Sequence, residues 1–126
     1  MTFPAIDPFK YLEFACEISS RTETEVRRTA GDRAYYAAFL FARDQLAAKR
    51  YITPYNNERD KKYVTEELKR LKFSIGSQEF RLQEHRTKVT YHTCQVGYPS
   101  LNWMIDTAQK IINYVKALPV NPNIKS

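Results

Sequence analysis

Glycine, cysteine and long apolar runs are all scarce in this sequence, and each scarcity excludes a class of protein. Three glycines in 126 residues are too few for the tight turns of an all-β fold, which favours helices. The two cysteines, Cys16 and Cys94, have no CxxC spacing, so neither a disulfide scaffold nor secretion is indicated. No apolar run approaches the roughly 20 residues that cross a bilayer, and no signal-peptide core is recognisable. We therefore expect a cytoplasmic protein without a membrane segment.

Positive charge, by contrast, is in excess. Lysine and arginine number 20 against 14 aspartates and glutamates, which gives a net charge of +6. Such a surplus favours a polyanionic partner such as nucleic acid. Small basic proteins that never bind nucleic acid share this property, so charge alone leaves both interpretations open. The length is that of one domain, which we predict to span 1–119 before a polar tail at 120–126.

Apolar residues recur at helical spacing in five segments bounded by capping or breaking residues. The predicted helices run from Pro8, capped by Asp7, to about Ser20, from the capping box Thr22–Glu25 to about Arg50, from Glu58 to about Phe73, from Ser77 to about Val96, and from Ser100 to Pro119. Ser74 and Gly76 are interpreted as a break before Ser77, the N-cap of the fourth helix, and Asn57 as the N-cap of the third. Because the connections are short, the predicted fold is all-α, an antiparallel up-and-down bundle of four main helices plus one shorter helix.

The fourth predicted helix carries an arginine on its apolar line. At 100° per residue, Leu82, Arg86 and Val89 fall within about 60° of one another, so Arg86 occupies a position expected for a core residue. A basic strip borders this line; it consists of Arg81, His85, Lys88 and His92. The second helix repeats the anomaly, because Arg33 stands on the apolar line of that helix.

A buried guanidinium must be paired or must face a ligand, since desolvating it alone costs several kcal/mol. One interpretation is structural: Arg33 and Arg86 pair with carboxylates such as Asp44 or Asp32, or extend to the rim. The other is that one of them binds an anionic ligand. The histidines beside Arg86 favour the second interpretation for that residue.

Two segments resemble the HEPN domain family. The segment Arg33-Ala-Tyr-Tyr-Ala-Ala-Phe39 on helix two is similar to the family signature Arg-Ala-Tyr-Tyr-Ala-x-Phe. On helix four, Arg86 and His92 are separated by five residues and resemble the family's Arg-x(4–6)-His ribonuclease motif. The helical interpretation of the remaining chain is compatible with such a domain.

The resemblance implies a metal-independent endoribonuclease without a cofactor, acting as a toxin or defence effector. RNA supplies the 2′-hydroxyl nucleophile, Arg86 would bind the phosphate oxygens, and His92 would act as acid or base. The products would be a 2′,3′-cyclic phosphate and a 5′-hydroxyl. Residues expected to support the reaction are Tyr91, Thr87, Arg33 and Tyr36. Candidates for contacts with RNA are Arg81, His85, Lys88, Arg27 and Arg28.

Arg86 and His92 lie about 120° and roughly 9 Å apart on a straight helix, too far for one phosphate. The resemblance therefore implies a homodimer through the helix-four face, which would bring two motifs together. No metal site is predicted, because no ligand-type residue stands between His85 and His92 at suitable spacing.

Two alternatives stay open. Thr87 and Thr90 depart from the family pattern, which favours a non-catalytic HEPN module that binds an antitoxin or a nucleotidyltransferase through the same surface. In the other, the chain is a structural helical subunit in which Arg33 and Arg86 are merely paired core charges.

Overall fold

A computed structural model describes residues 8–18, 24–91 and 98–122. This part of the chain forms five helices, α1 (Pro8–Ile18), α2 (Thr24–Ala48), α3 (Arg59–Leu71), α4 (Phe73–Tyr91) and α5 (Tyr98–Ala117). The helices pack against one another, and the described residues include no strand. The predicted all-α helical bundle is confirmed. Within these ranges, no helix has the length and apolar character needed to cross a membrane.

The central helix is α2, which packs against each of the other four. Its fully buried alanines are Ala30, Ala34, Ala37, Ala38 and Ala42. Such small side chains let neighbouring helices approach closely, while the buried Tyr35 and Phe39 fill the remaining space. A helix that is apolar around most of its circumference is typical of a core position. Polar groups on α2 therefore face other helices, and two of them reach the candidate site.

The predicted loop between the second and third helices is confirmed, but α3 begins at Arg59 with Glu58, not Asn57, at the N-cap position. The side-chain oxygen of Asn57 accepts a hydrogen bond from the backbone N–H of Arg59 at 2.9 Å, which satisfies one free donor at the start of α3. The buried Asp60 accepts hydrogen bonds from the backbone N–H groups of Tyr55 and Asn56 at 2.8 and 2.9 Å. The loop is thus fastened to the first turn of α3.

The predicted break between helices three and four is wrong. Residues 73–77 belong to α4, and only Lys72, with φ −154° and ψ 107°, separates it from α3. Phe73 therefore begins α4 instead of ending α3, and Ser77 is an internal residue and not an N-cap. Gly76 is present for packing: a Cβ there would stand 2.6 Å from Lys69 Cα, so a larger residue would separate the two helices.

An apolar stripe at helical spacing on α5 comprises Leu101, Ile105, Ala108, Ile112 and Val115; Ile105 is half-buried, and the other four lie in the core. The helix starts two residues before the predicted Ser100, with Pro99 in its first turn, where proline is tolerated. At its other end Lys49 Nζ donates hydrogen bonds to two carbonyl oxygens of the last turn of α5, each at 2.9 Å. The predicted ends near Ser20, Thr22 and Val96 lie outside the described residues.

Candidate functional site

Arg86, the anomalous residue of α4, is held by two side chains of α2. Its Nε donates a hydrogen bond to Asp32 Oδ1 at 2.8 Å, and its Nη2 donates one to the Tyr36 hydroxyl at 3.2 Å. The side chains of Arg86 and Asp32 are 14% and 28% exposed. Asp32 and Tyr36 lie one turn apart on the same face of α2. The charge on the apolar line is thus paired at the edge of the core, as the structural interpretation expects.

Aromatic rings complete the surroundings of this guanidinium. Its Cζ lies 5.0 Å from the centroid of the Tyr36 ring and 6.0 Å from that of Tyr35, distances at which a cation is attracted to the ring face. The Tyr35 ring stacks on Phe39 with a centroid separation of 6.0 Å. The Tyr-Tyr pair of the Arg33–Phe39 segment therefore supports Arg86, with Tyr35 in the core and Tyr36 at the edge.

Arg86 also lines a groove between α3 and α4, which has a volume of about 590 Å³. We call this the basic groove. Its lining residues are Glu58, Lys61, Lys62, Thr65, Glu66 and Lys69 from the α3 side and Phe80, Gln83, Arg86 and Thr87 from α4. Four cations face two carboxylates in the lining, and counting Asp32, the partner of Arg86, still leaves a net positive charge. The basic groove therefore attracts anions toward Arg86.

The lysines of the basic groove were missed at the sequence level. Lys61 pairs with Glu58 at 3.0 Å, and Lys62 approaches Glu66 at 3.8 Å. Lys69 Nζ lies 5.1 Å from the centroid of the Phe80 ring. Lys62 and Lys69 stand seven residues, or two turns, apart on one side of α3, and Lys61 lies about 100° around the helix from Lys62; this spacing was the available signal. The sequence does not show that this side meets α4.

Arg33 is far less isolated than its position suggested. It is half-buried, and its Cζ lies 4.8 Å from the ring centroid of Tyr11 on α1. Asp44, the other carboxylate considered as a partner, pairs with Arg43 at 2.9 Å. Arg33 thus contacts the α1 side of α2, whereas Tyr36 contacts Arg86 on the α4 side.

The two members of the basic strip whose side chains are described, Arg81 and His85, do not line the basic groove. The centroid of the His85 ring lies 4.7 Å from that of the Trp103 ring on α5. The Nδ1 atom of His85 lies 3.2 Å from the Arg81 carbonyl oxygen. Because a carbonyl oxygen only accepts, Nδ1 carries a hydrogen in this contact. Arg81 is exposed, and Thr87 lines the groove with its hydroxyl bonded to the Gln83 carbonyl at 3.1 Å. The structure does not bring Arg81 and His85 together with Arg86.

Several predicted site residues have no described side chain. Lys88 and Tyr91 belong to the helical backbone of α4, and Arg27 and Arg28 to that of α2. His92 lies outside the described residues. The predicted pairing of Arg86 with His92 therefore stays a prediction. Among the residues that are described, no group of three or more potential ligands could hold a metal ion.

A buried carboxyl on α4 escaped sequence reasoning. Glu79 is fully buried and its Oε2 is hydrogen-bonded to the Thr65 hydroxyl of α3. Burial raises the pKa of the Glu79 carboxyl to about 7, while the bond with Thr65 and the positive charge of Lys69 lower it in part. Burial also raises the pKa of the Tyr35 phenol, and the charge of Glu79 adds to this shift. Neither Tyr35 Oη nor Glu79 Oε1 has a hydrogen-bond partner among the described residues.

Comparison with known proteins adds no family to these observations. No family model matches the chain, and no curated protein or solved structure is significantly similar to it. The function has to be argued from the site.

Proposed function

We propose that this chain is an endoribonuclease of the HEPN type, with Arg86 as the group that binds the scissile phosphate. One observation carries the proposal: Arg86 is fixed by Asp32 and Tyr36 while it lines a groove that three lysines also line. A guanidinium fixed in advance loses little freedom when it binds a phosphate. The resemblance of Arg33–Phe39 and of Arg86–His92 to HEPN signatures supports the same function.

The proposed reaction needs no cofactor. A base removes the proton of the RNA 2′-hydroxyl, the 2′-oxygen attacks phosphorus, and the bond from phosphorus to the 5′-oxygen breaks as an acid protonates that oxygen. The products are a 2′,3′-cyclic phosphate and a 5′-hydroxyl. His92 supplies the acid or base, because its imidazole titrates near neutral pH. Arg86 stabilises the negative charge that develops on the non-bridging oxygens.

Two copies of the chain are required in this proposal. On a straight helix His92 is roughly 9 Å from Arg86 along the axis and about 120° around it, so one copy does not place both groups on one phosphate. A two-fold dimer through the α4 face combines the motifs of two copies.

The test is cleavage of RNA by the purified protein in the presence of EDTA. We expect the wild type to produce 2′,3′-cyclic phosphate ends, and His92→Ala to lose activity roughly 100-fold or more, since general acid–base catalysis contributes 10² to 10⁴. Arg70→Gln is the matched control, because Arg70 is an exposed cation of α3 that is paired with Glu67 and does not line the basic groove. Undiminished cleavage by His92→Ala would refute the proposal.

A specific observation favours a second function. The pairing of Arg86 with Asp32 is also what a purely structural arginine requires, and this supports a non-catalytic HEPN module that binds a nucleotidyltransferase or an antitoxin. Wild-type protein that is inert on varied RNAs, yet co-purifies with a nucleotidyltransferase, would decide for this function.

A further inference from the structure

Glu79 links α4 to α3 directly beneath the basic groove. Its Oε2 is bonded to the hydroxyl of Thr65, and the same hydroxyl lies 2.9 Å from the carbonyl oxygen of Lys61. Thr65 and Lys61 both line the basic groove. Because α3 packs mainly on α4 and only lightly on α2, this buried contact is central to the attachment of α3.

The hydrogen count at Thr65 depends on the protonation of Glu79. A threonine hydroxyl has one hydrogen to donate, whereas a backbone carbonyl and an ionised carboxylate both only accept. With Glu79 ionised, one of the two contacts of Thr65 lacks a hydrogen. With Glu79 neutral, Oε2–H donates to the Thr65 hydroxyl, which donates to the Lys61 carbonyl, and both contacts are hydrogen bonds.

Ionisation would also leave a charge in the core. Glu79 is fully buried, and its Oε1 has no hydrogen-bond partner among the described residues. A buried carboxylate with one unsatisfied oxygen is strongly unfavourable compared with the neutral acid. Separation of α3 from α4 would admit water to the carboxylate and relieve this cost.

We propose that Glu79 is a protonation-dependent latch, which fastens α3 to α4 while its carboxyl is neutral and loosens the basic groove when the proton leaves. The groove would then be narrow and ordered in mildly acidic solution and mobile on its α3 side in mildly alkaline solution. The latch does not depend on what the groove binds, so it can fail while the ribonuclease proposal holds, or hold while that proposal fails.

Groups on the neighbouring helices influence the protonation equilibrium of the Glu79 carboxyl. From α3, the charge of Lys69 favours the ionised form, and so does the Thr65 hydroxyl when it donates to Glu79 in place of the Lys61 carbonyl. From α2, Tyr35 interacts electrostatically with Glu79. From α5, no charged group with a resolved effect on Glu79 is found among the described residues. Burial of the carboxyl outweighs the contributions that favour its ionised form, so the pKa of Glu79 is raised.

The sign of the pH effect follows from the raised pKa. The closed state keeps its proton up to about pH 7, whereas an exposed glutamate has the ordinary value of 4.5. The closed state therefore binds more protons between these values, and the attachment of α3 is strongest below this window and weakens as the pH rises through it. With these two values, linkage makes the opening constant of α3 rise roughly 30-fold between about pH 5.5 and about pH 8.

Hydrogen exchange of α3 amides tests the latch directly. In the wild type, we expect the protection of 59–71, after correction for the intrinsic exchange rate, to fall by roughly that factor from about pH 5.5 to about pH 8. Glu79→Gln keeps the shape and a donor for Thr65 without the titration, so its α3 protection should be independent of pH. Glu84→Gln, an exposed glutamate on the same helix, is the matched control and should behave as the wild type.

A second measurement does not rely on Glu79→Gln folding. In the wild type, carbon-13 NMR of the Glu79 carboxyl should show titration near pH 7. Titration near the ordinary glutamate value of 4.5 would overturn the proposal. Equal pH dependence of α3 protection in the wild type and Glu79→Gln would also overturn it.

Discussion

Two ionisable residues on one line of α4 are accommodated in different ways. Glu79 and Arg86 stand seven residues apart on the side of α4 that also carries the buried Ile75 and Leu82. Arginine cannot lose its proton in a protein, so Arg86 requires the counter-charge of Asp32. A carboxyl can become neutral, so Glu79 can lie in the core with an uncharged hydroxyl as its partner. The different chemistry of the two groups explains why one is paired with a counter-charge at the edge and the other with a hydroxyl in the core.

The pair of Arg86 and Asp32 should show strong energetic coupling. Arg86→Met leaves the partly buried carboxylate of Asp32 without its partner, so we expect the free energy of unfolding to fall by about 2 kcal/mol. Asp32→Asn in the Arg86→Met background should recover part of this loss, because a neutral amide is less costly to leave unpaired. Urea denaturation of the wild type, Arg86→Met, Asp32→Asn and the double variant measures the coupling free energy of the pair, which we expect to exceed about 1 kcal/mol.

An exposed ion pair on α3 provides the comparison for this double-mutant cycle. Lys62 and Glu66 are 3.8 Å apart on α3 with side chains 84% and 64% exposed, and their coupling should be at most about 0.5 kcal/mol. Strict additivity of Arg86→Met and Asp32→Asn would show that the ion pair is not a significant contact.

At the scale of helices, the junction of α3 and α4 is where the sequence was most misleading. Ser74, Gly76 and Ser77 are typical of a helix break, yet all three lie inside α4. The glycine reflects close tertiary contact with Lys69, which local sequence patterns do not report. The start of α3, by contrast, was predicted to within one residue, because the hydrogen bond from the Arg59 N–H to Asn57 is a local interaction.

The sign of the change in stability caused by Gly76→Ala tests this explanation. Helix propensity alone predicts that alanine stabilises an internal helical position by about 1 kcal/mol. Because the added Cβ would stand against the backbone of Lys69, we expect a loss of about 1–3 kcal/mol in the free energy of unfolding instead. Thermal or urea denaturation distinguishes this loss from the gain that helix propensity alone predicts.

Ser74→Ala is the control for that substitution, since Ser74 is an exposed residue of the same helix and should change stability by at most about 0.5 kcal/mol. An increase in stability for Gly76→Ala would mean that the glycine is not required by the packing of α3 on α4.

The candidate site could be predicted from the sequence only where one residue broke a pattern. Arg86 was recognised because a charge interrupted an apolar line, and Asp32 was correctly considered as a partner. Glu79 interrupts the same line, but the predicted helix begins only at Ser77 and leaves out Ile75, so Glu79 stands at the end of the predicted line and not between apolar residues. The lysines of α3 break no pattern, since alternating charges are typical of a solvent-exposed helix.

At the scale of the whole molecule, the proposed function depends on where the positive charges lie as well as on how many there are. The net charge of +6 attracts any polyanion weakly and from all sides. Four of the cations line the basic groove, where a bound strand would be held next to Arg86. A variant that removes charge from this groove should therefore bind RNA differently from one that removes equal charge elsewhere.

Two triple variants with the same net charge test this requirement. In Lys61→Gln/Lys62→Gln/Lys69→Gln, loss of three phosphate contacts should reduce the slope of log affinity against log salt by about 2 for single-stranded RNA. The control, Lys10→Gln/Lys110→Gln/Lys116→Gln, removes three exposed lysines outside the groove and should retain most of the slope. Fluorescence anisotropy over a salt series with a non-cleavable RNA measures binding apart from catalysis. Equal slopes in the two variants would mean that RNA does not bind in the basic groove, because only the position of the lost charge differs between them.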